Sequence, residues 1–126
     1  MRAFKTKWFA RFARQERITD SSLREAIARA ERGLIDADLG GGLIKQRVAR
    51  QGQGRSGGYR VIVAYRIKGR AVFLFGFAKN EKENISQDEL EFFRELAENW
   101  LAAGPGLIRV EVEAGNLQEV EDDEEN

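Results

Sequence analysis

The sequence predicts an α+β domain, a small antiparallel sheet with two N-terminal helices on one side and a C-terminal helix. Three observations carry that reading. Apolar residues recur at helical spacing before residue 35 and again over residues 86–103. The stretch between them alternates as strands do. Glycines and a single proline, Pro105, mark the boundaries. At 126 residues the chain reads as one domain with enough apolar content to bury a core.

The first helix follows from Phe4, Trp8 and Phe12, four residues apart, with Phe9 beside them. This stripe reads as core rather than a platform for stacked bases. Thr6 suits the N-cap, and residues 1–5 are a candidate short strand leading in. The second helix opens at Thr19-Asp20-Ser21-Ser22. Ser22 and Glu25 have capping-box spacing, and Thr19 is the alternative cap. Leu23, Ile27, Ala30 and Leu34 form its apolar face, and Gly40-Gly41-Gly42 closes the region.

Three strands come next: Leu43–Val48, Gly58–Arg66 and the nearly all-apolar Ala71–Ala78. In the second, Tyr59, Val61, Val63 and Tyr65 share one face, with Arg60, Ile62, Ala64 and Arg66 on the other. Lys68-Gly69 reads as a tight hairpin turn, and Ala49–Gly57 as a glycine- and arginine-rich loop. Ser86 and Glu89 form a second capping box, opening a helix with Leu90, Phe93, Ala97 and Trp100 on its apolar face. Gly104-Pro105-Gly106 stops it. Leu107–Val112 is ambiguous and is a candidate strand, and Glu121–Asn126 reads as disordered. The division is a domain over 1–103 and a C-terminal extension over 104–126.

Composition excludes several chemistries. There is no cysteine for a disulfide or thiolate and no histidine for the usual general base. No apolar run approaches the roughly 20 residues of a membrane span, and the N-terminus lacks a signal-peptide core. A cytoplasmic protein without membrane contact, metal or small-molecule cofactor is expected. The net charge of zero conceals an asymmetry. Residues 111–126 hold eight acids and no base, so the first 110 residues carry 21 bases against 13 acids. Residues 45–82 alone hold ten bases and one acid, Glu81. A basic body with an acidic tail points to a polyanion-binding surface, the alternative being a solvated basic face.

Strand parity places some of these cations. Centring the 68–69 turn sets Arg60 opposite Phe77 and Gly58 opposite Lys79. Centring the glycine-rich loop sets Arg47 opposite Arg60, unless a bulge flips that register. Lys45, Arg47, Arg60 and Lys79 then share one face at one end of the sheet. Opposed like charges cost stability, so an anion is the natural occupant. The N–H groups of Gly52, Gly54, Gly57 and Gly58 offer a phosphate cradle, with a flexible hairpin loop as the plain alternative.

Three segments, Gly41–Ala49, Gly52–Ile62 with its Gly57-Gly58-Tyr59-Arg60 centre, and Phe77-Ala78-Lys79-Asn80-Glu81, resemble the HigB-type branch of the RelE toxins. The order helix–helix–strand–strand–strand–helix agrees, and the resemblance covers roughly residues 1–103. It implies the toxin of a type II toxin–antitoxin pair that cuts mRNA in the ribosomal A site. The implied reaction is metal-independent 2′-OH attack on the adjacent phosphate, with basic side chains stabilising the transition state. The resemblance matches Lys45 and Arg47 to two basic residues on one strand and Arg60 to a phosphate binder. Lys79 matches one member of a terminal basic pair whose second position here is Asn80. Arg50, Arg55, Asn80 and Lys82 are further expected RNA contacts. A tyrosine used by some members has no counterpart in residues 82–103. Lys45 or Lys79 would act as base if neighbouring cations favour its neutral form. The implied partners are a small helix-turn-helix antitoxin, the ribosome and mRNA. The alternatives are a ParE-type, non-enzymatic inhibitor of DNA gyrase and an RNA-binding module without chemistry. In the C-terminal segment, Leu107, Ile108, Val110, Val112, Leu117 and Val120 are expected to dock on the body or on a partner. The acids after them would lie in solvent or mask the basic face, the bland alternative being a solubilising tail.

Overall fold

The computed structural model describes residues 1–50, 54–79 and 84–121, with 54–56 described by backbone alone. The chain runs β1 (Arg2–Thr6), α1 (Lys7–Glu16), α2 (Asp20–Glu31), β2 (Ala37–Gly40), β3 (Leu43–Arg50), β4 (Gly54–Tyr65), β5 (Arg70–Ala78), α3 (Gln87–Ala102), α4 (Pro105–Glu113) and β6 (Leu117–Glu119). The strands form one sheet in the order β2-β3-β4-β5-β1-β6. Only the β1–β5 pairing is parallel. The α+β expectation holds, with a larger sheet than three strands.

Local chemistry sets the boundaries. Thr6 Oγ1 accepts from Phe9 N–H at 3.2 Å and starts α1. Thr19, not Ser22, caps α2, accepting from Ser22 N–H at 3.1 Å. Ser86 and Glu89 complete the capping box at both bonds. The ambiguous stretch after Gly104 is helix α4, not a strand. Pro105 occupies its first turn, where a missing N–H costs nothing and its fixed φ suits a helix. The last strand comes later, at β6.

Two further expectations are corrected. Phe4 lies in β1, so it does not belong to a helical stripe with Trp8 and Phe12. Leu34 lies beyond α2 and is exposed.

The core has two layers, one on each face of the sheet. Under α1 and α2 lie Phe9, Leu23, Ile27, Val61, Val63 and Phe73. Under α3 and α4 lie Phe4, Leu43, Ile62, Val72, Phe93 and Ile108. β4 feeds both layers, as its parity predicted. Each such side chain contributes about 1.5–3 kcal/mol on full burial.

The β4–β5 register matches the sequence reading at its far end for a different reason. The turn is three residues, closed by Arg66 N–H to Arg70 O at 3.0 Å, with Lys68 left-handed at φ 60°. That alone would shift the pairing by one. A bulge at Leu74, between the pairs Ile62–Phe75 and Val63–Phe73, takes up the extra residue and restores Arg60 opposite Phe77. The β3–β4 register runs unbroken from Leu43–Ala64 to Val48–Tyr59, and its irregularity lies beyond Arg47–Arg60.

Candidate functional site

Register and face together place Lys45, Arg47 and Arg60 side by side. Arg47 is paired directly with Arg60, and Lys45 with Ile62. Lys79 follows the end of β5, its N–H donating to Gly58 O at 3.2 Å, so it stands one strand over and two positions along from Arg60. These cations share the α3 side of the sheet but lie past the end of the helix. Arg47 and Lys79 are exposed; Lys45 and Arg60 are half-buried.

The neighbours tune the cluster. Lys45 Nζ donates to Asn84 Oδ1 at 3.3 Å, just ahead of the α3 N-terminus. Arg60 Nη1 donates to Tyr59 O at 3.4 Å. The Arg60 guanidinium is held below its ordinary pKa, first by partial burial and then by Arg47, with Asp36 opposing. Arginine stays protonated regardless, so the shift reflects first the desolvation of a half-buried charge and second the repulsion from Arg47, both of which a phosphate placed there would offset.

Asp36 is a site residue that the sequence reading missed. Its carboxylate accepts from Arg47 N–H at 2.7 Å and ion-pairs with Arg47 Nε at 3.6 Å. It also binds Arg29 Nη1 at 3.4 Å. Gln46 holds Asp36 in place. This fully buried amide accepts from Asp36 N–H at 2.7 Å and donates to Ala26 O at 3.0 Å and Leu34 O at 3.3 Å. The legible signal was a polar residue at an inward position, between Ile44 and Val48.

The glycine-rich segment is not an open cradle. Gly54, Gly57 and Gly58 belong to β4, and Gly52 lies outside the described residues. Gly58 is required for another reason: a Cβ there would sit 2.3 Å from Val48 O and 2.6 Å from Arg50 N. Only a glycine lets β3 and β4 approach so closely next to Arg60.

Arg50 does not join the cluster. Its guanidinium lies over the Tyr59 ring at 5.6 Å, and Tyr59 packs in the α1–α2 layer with its hydroxyl on Glu16 at 2.9 Å. Arg55 is described by backbone alone, and Asn80 and Lys82 fall outside the described residues.

Trp8 is not core either. It is 47% exposed and stacks over Phe12 and Phe75, with ring centroids 5.5 and 4.7 Å away. With Phe75, Phe92, Phe93, Leu96 and Trp100 it lines an apolar groove of about 440 Å³ between α1 and α3.

The C-terminal segment docks as expected for Ile108, Leu117 and Val120, all buried; Leu107 and Val110 are exposed. Its acids start far from the basic cluster. Glu121 N–H donates to Asp20 Oδ2 at 2.8 Å, and Arg24 Nη2 donates to Val120 O at 2.8 Å. Val120 bonds Ala3, so Glu121 is level with the start of β5. Strand rise and spacing put that point about 27 Å from Arg60. The expectation that the terminal acids mask the basic face falls on residues 122–126, which lie outside the described residues.

The family model describing the RelE toxin of the RelE/RelB toxin–antitoxin system matches residues 1–120. The chain belongs to the RelE toxin family. No curated protein matches it. Family membership makes this RelE-type chain the toxin of a toxin–antitoxin system and implies a cognate antitoxin as its partner. Among the described residues no helix is long and apolar enough to cross a membrane.

Proposed function

We propose that this RelE-family toxin is a cytoplasmic, ribosome-dependent mRNA endonuclease of the HigB type. The observation that carries the reading is the directly opposed Arg47–Arg60 pair on the α3 side of the sheet, with Lys45 on the same face and Lys79 beside it. Asp36 offsets part of the repulsion between the two guanidiniums through Arg47, and their remaining positive charge suits the extra negative charge that a phosphodiester gains as it becomes a phosphorane.

The 2′-oxygen of one nucleotide attacks the adjacent phosphorus as its proton passes to a base. A phosphorane forms, the bond from phosphorus to O5′ breaks, and O5′ takes up a proton. The products are a 2′,3′-cyclic phosphate and a free 5′-hydroxyl. Arg60 and Arg47 stabilise charge on the non-bridging oxygens, which grows in the transition state. Lys45 and Lys79 flank them and are the candidates for moving protons at O2′ and O5′. Without histidine the side chains alone make a weak RNase. Holding the codon with O2′ in line is the part assigned to the ribosome. The antitoxin, by resemblance a small helix-turn-helix protein, would restrain the toxin.

The test is to map mRNA 5′ ends after induction and to repeat the cleavage with purified components. Codon-phased cuts bearing 5′-hydroxyls, on ribosomes and not on naked mRNA, are expected. Rapid cutting of naked RNA would refute dependence on the ribosome, and gyrase-linked DNA breaks with intact mRNA would refute the nuclease reading altogether.

A further inference from the structure

A second row of opposed arginines lies at the other end of the same sheet face. Arg2 of β1 pairs with Arg70 of β5. Arg66, at the end of β4, closes the hairpin onto Arg70 through its N–H. Three guanidiniums thus stand at one level on three adjacent strands. By parity they point to the α3–α4 side, as Phe4, Ala64 and Val72 do. They line a cavity of about 290 Å³ together with Gly69, Pro105 and Ile108.

Two of the three are held in place. Arg70 Nη1 donates to Trp100 O and Ala103 O, each at 2.7 Å, which fixes its fork at the end of α3. Arg2 Nε and Nη2 hold Glu119 at 2.8 and 2.9 Å. Among the described residues Arg66 has no such tie. Its stem lies across Gly69, where a Cβ would meet Arg66 Cδ at 3.0 Å and Cγ at 3.1 Å. The Arg70 guanidinium is depressed by burial, then by Arg66, then by Arg2. Glu119 is paired with Arg2, and Arg70 is held by uncharged carbonyls, so among the described lining residues the cavity carries a net positive charge.

We propose that Arg2, Arg66 and Arg70 form a second phosphate-binding site, which holds a backbone phosphate of RNA away from the cleavage face. The proposal rests on the nuclease reading for the identity of the polyanion. Guanidinium forks recognise phosphate oxygens in pairs; Arg66 offers that fork, while Arg70 and Arg2, fixed by their own contacts, add positive charge and the N–H groups those contacts leave over. RNA is favoured over a free anion because this row and the Arg47–Arg60 pair lie at the two ends of one sheet face, beside the opposite ends of α3. Arg66 and Arg60 are six residues apart along β4, about 20 Å. One folded RNA can engage both ends, so this row supplies affinity and orientation while the other supplies chemistry.

Arg66 is the residue to change, since Arg70 and Arg2 hold structure. Binding of Arg66→Ala and Arg66→Glu to purified ribosomes is measured across a salt series, alongside cleavage of ribosome-bound mRNA. Arg66→Glu is expected to weaken binding about tenfold at low salt and to reduce the slope of log affinity against log salt by about one. KM should rise with kcat unchanged, the opposite of an Arg60 variant. Inorganic phosphate should raise the melting temperature of the wild type more than that of Arg66→Ala.

Equal ribosome affinity of wild type and Arg66→Glu at low salt, with both cutting normally, overturns the second site alone. Loss of antitoxin affinity with ribosome affinity intact also overturns it, assigning the row to a partner's carboxylates. A wild type that neither binds nor cuts on ribosomes sinks the nuclease reading and the RNA assignment with it. The phosphate arm then decides the anion site: an Arg66-dependent rise in melting temperature supports it, and none removes it.

Discussion

Replacing Arg60 by alanine separates chemistry from folding. Arg60 is half-buried on β4, directly opposite Arg47 and Phe77. Losing one preorganised charge contact to a transition state costs about 10²–10³ in rate, or about 2.7–4 kcal/mol. Stability should move far less. The stem loses packing beside Phe77, which costs something. The change also removes a like-charge pair across two strands and restores water to a site that holds the guanidinium below its ordinary pKa. These effects oppose each other, so a net change within about 1 kcal/mol is expected. Single-turnover cleavage of one defined codon on stalled ribosomes reads the first quantity, and urea unfolding of the purified protein reads the second. Arg60→Lys should fall between, keeping charge but losing the bidentate fork. Arg47→Ala and Lys45→Ala should each slow cleavage as well. Cleavage by Arg60→Ala within about twofold of wild type would show that phosphate stabilisation lies elsewhere, given the ~10² floor.

Other consequences follow from the packing and the titration of named groups. Gly58→Ala drives a Cβ to 2.3 Å from Val48 O, so the strands must separate. Overpacking of this kind costs about 1–3 kcal/mol or more, and a urea midpoint equal to wild type would contradict the close approach. Glu119 is held below its ordinary value of 4.5, chiefly by the hydrogen bond from Arg2, with burial opposing. A depressed carboxylate contributes stability above its unfolded pKa and loses it as pH falls through the folded one. Glu119→Gln should therefore be less stable than wild type at pH 7, and the gap should close towards pH 3; a pH-independent gap would assign the effect to packing. The Tyr65 hydroxyl is buried with no hydrogen-bond partner among the described residues, and its ionisation is pushed up by that burial and by Glu31. Tyr65→Phe should be neutral or stabilising by up to about 1 kcal/mol, and a clear loss in thermal unfolding would reveal an acceptor such as ordered water.

Much of this protein was determined by sequence alone, wherever the controlling physics is local. Thr6 and the Ser86–Glu89 box start helices because hydroxyls and carboxylates satisfy free N–H groups within three residues. Strand alternation of period two assigned Arg60, Ile62, Ala64 and Arg66 to one face, and a symmetric loop was enough to oppose Arg47 and Arg60. The tertiary structure decided what depends on distant partners. Phe4 and Trp8 have the same spacing to a neighbouring aromatic, yet one is buried in β1 between β5 and β6 and the other half-exposed on α1, because pairing with two distant strands draws Phe4 into the sheet. The 107–112 stretch is equally apolar as strand or helix; Pro105 and the docking of Ile108 settle it as α4. Arg50 was expected to contact RNA beside the basic cluster, and its placement over Tyr59 puts its guanidinium against the α1–α2 layer instead. Asp36 and Gln46 shape the site through contacts spanning about ten residues or more, and the Arg2–Arg70–Arg66 row exists only because β1, β5 and β4 are neighbours. Caps and strand parity act over a few bonds and are written in the chain. Cross-strand neighbours and burial depend on which surfaces meet, and that is set only when the sheet is assembled.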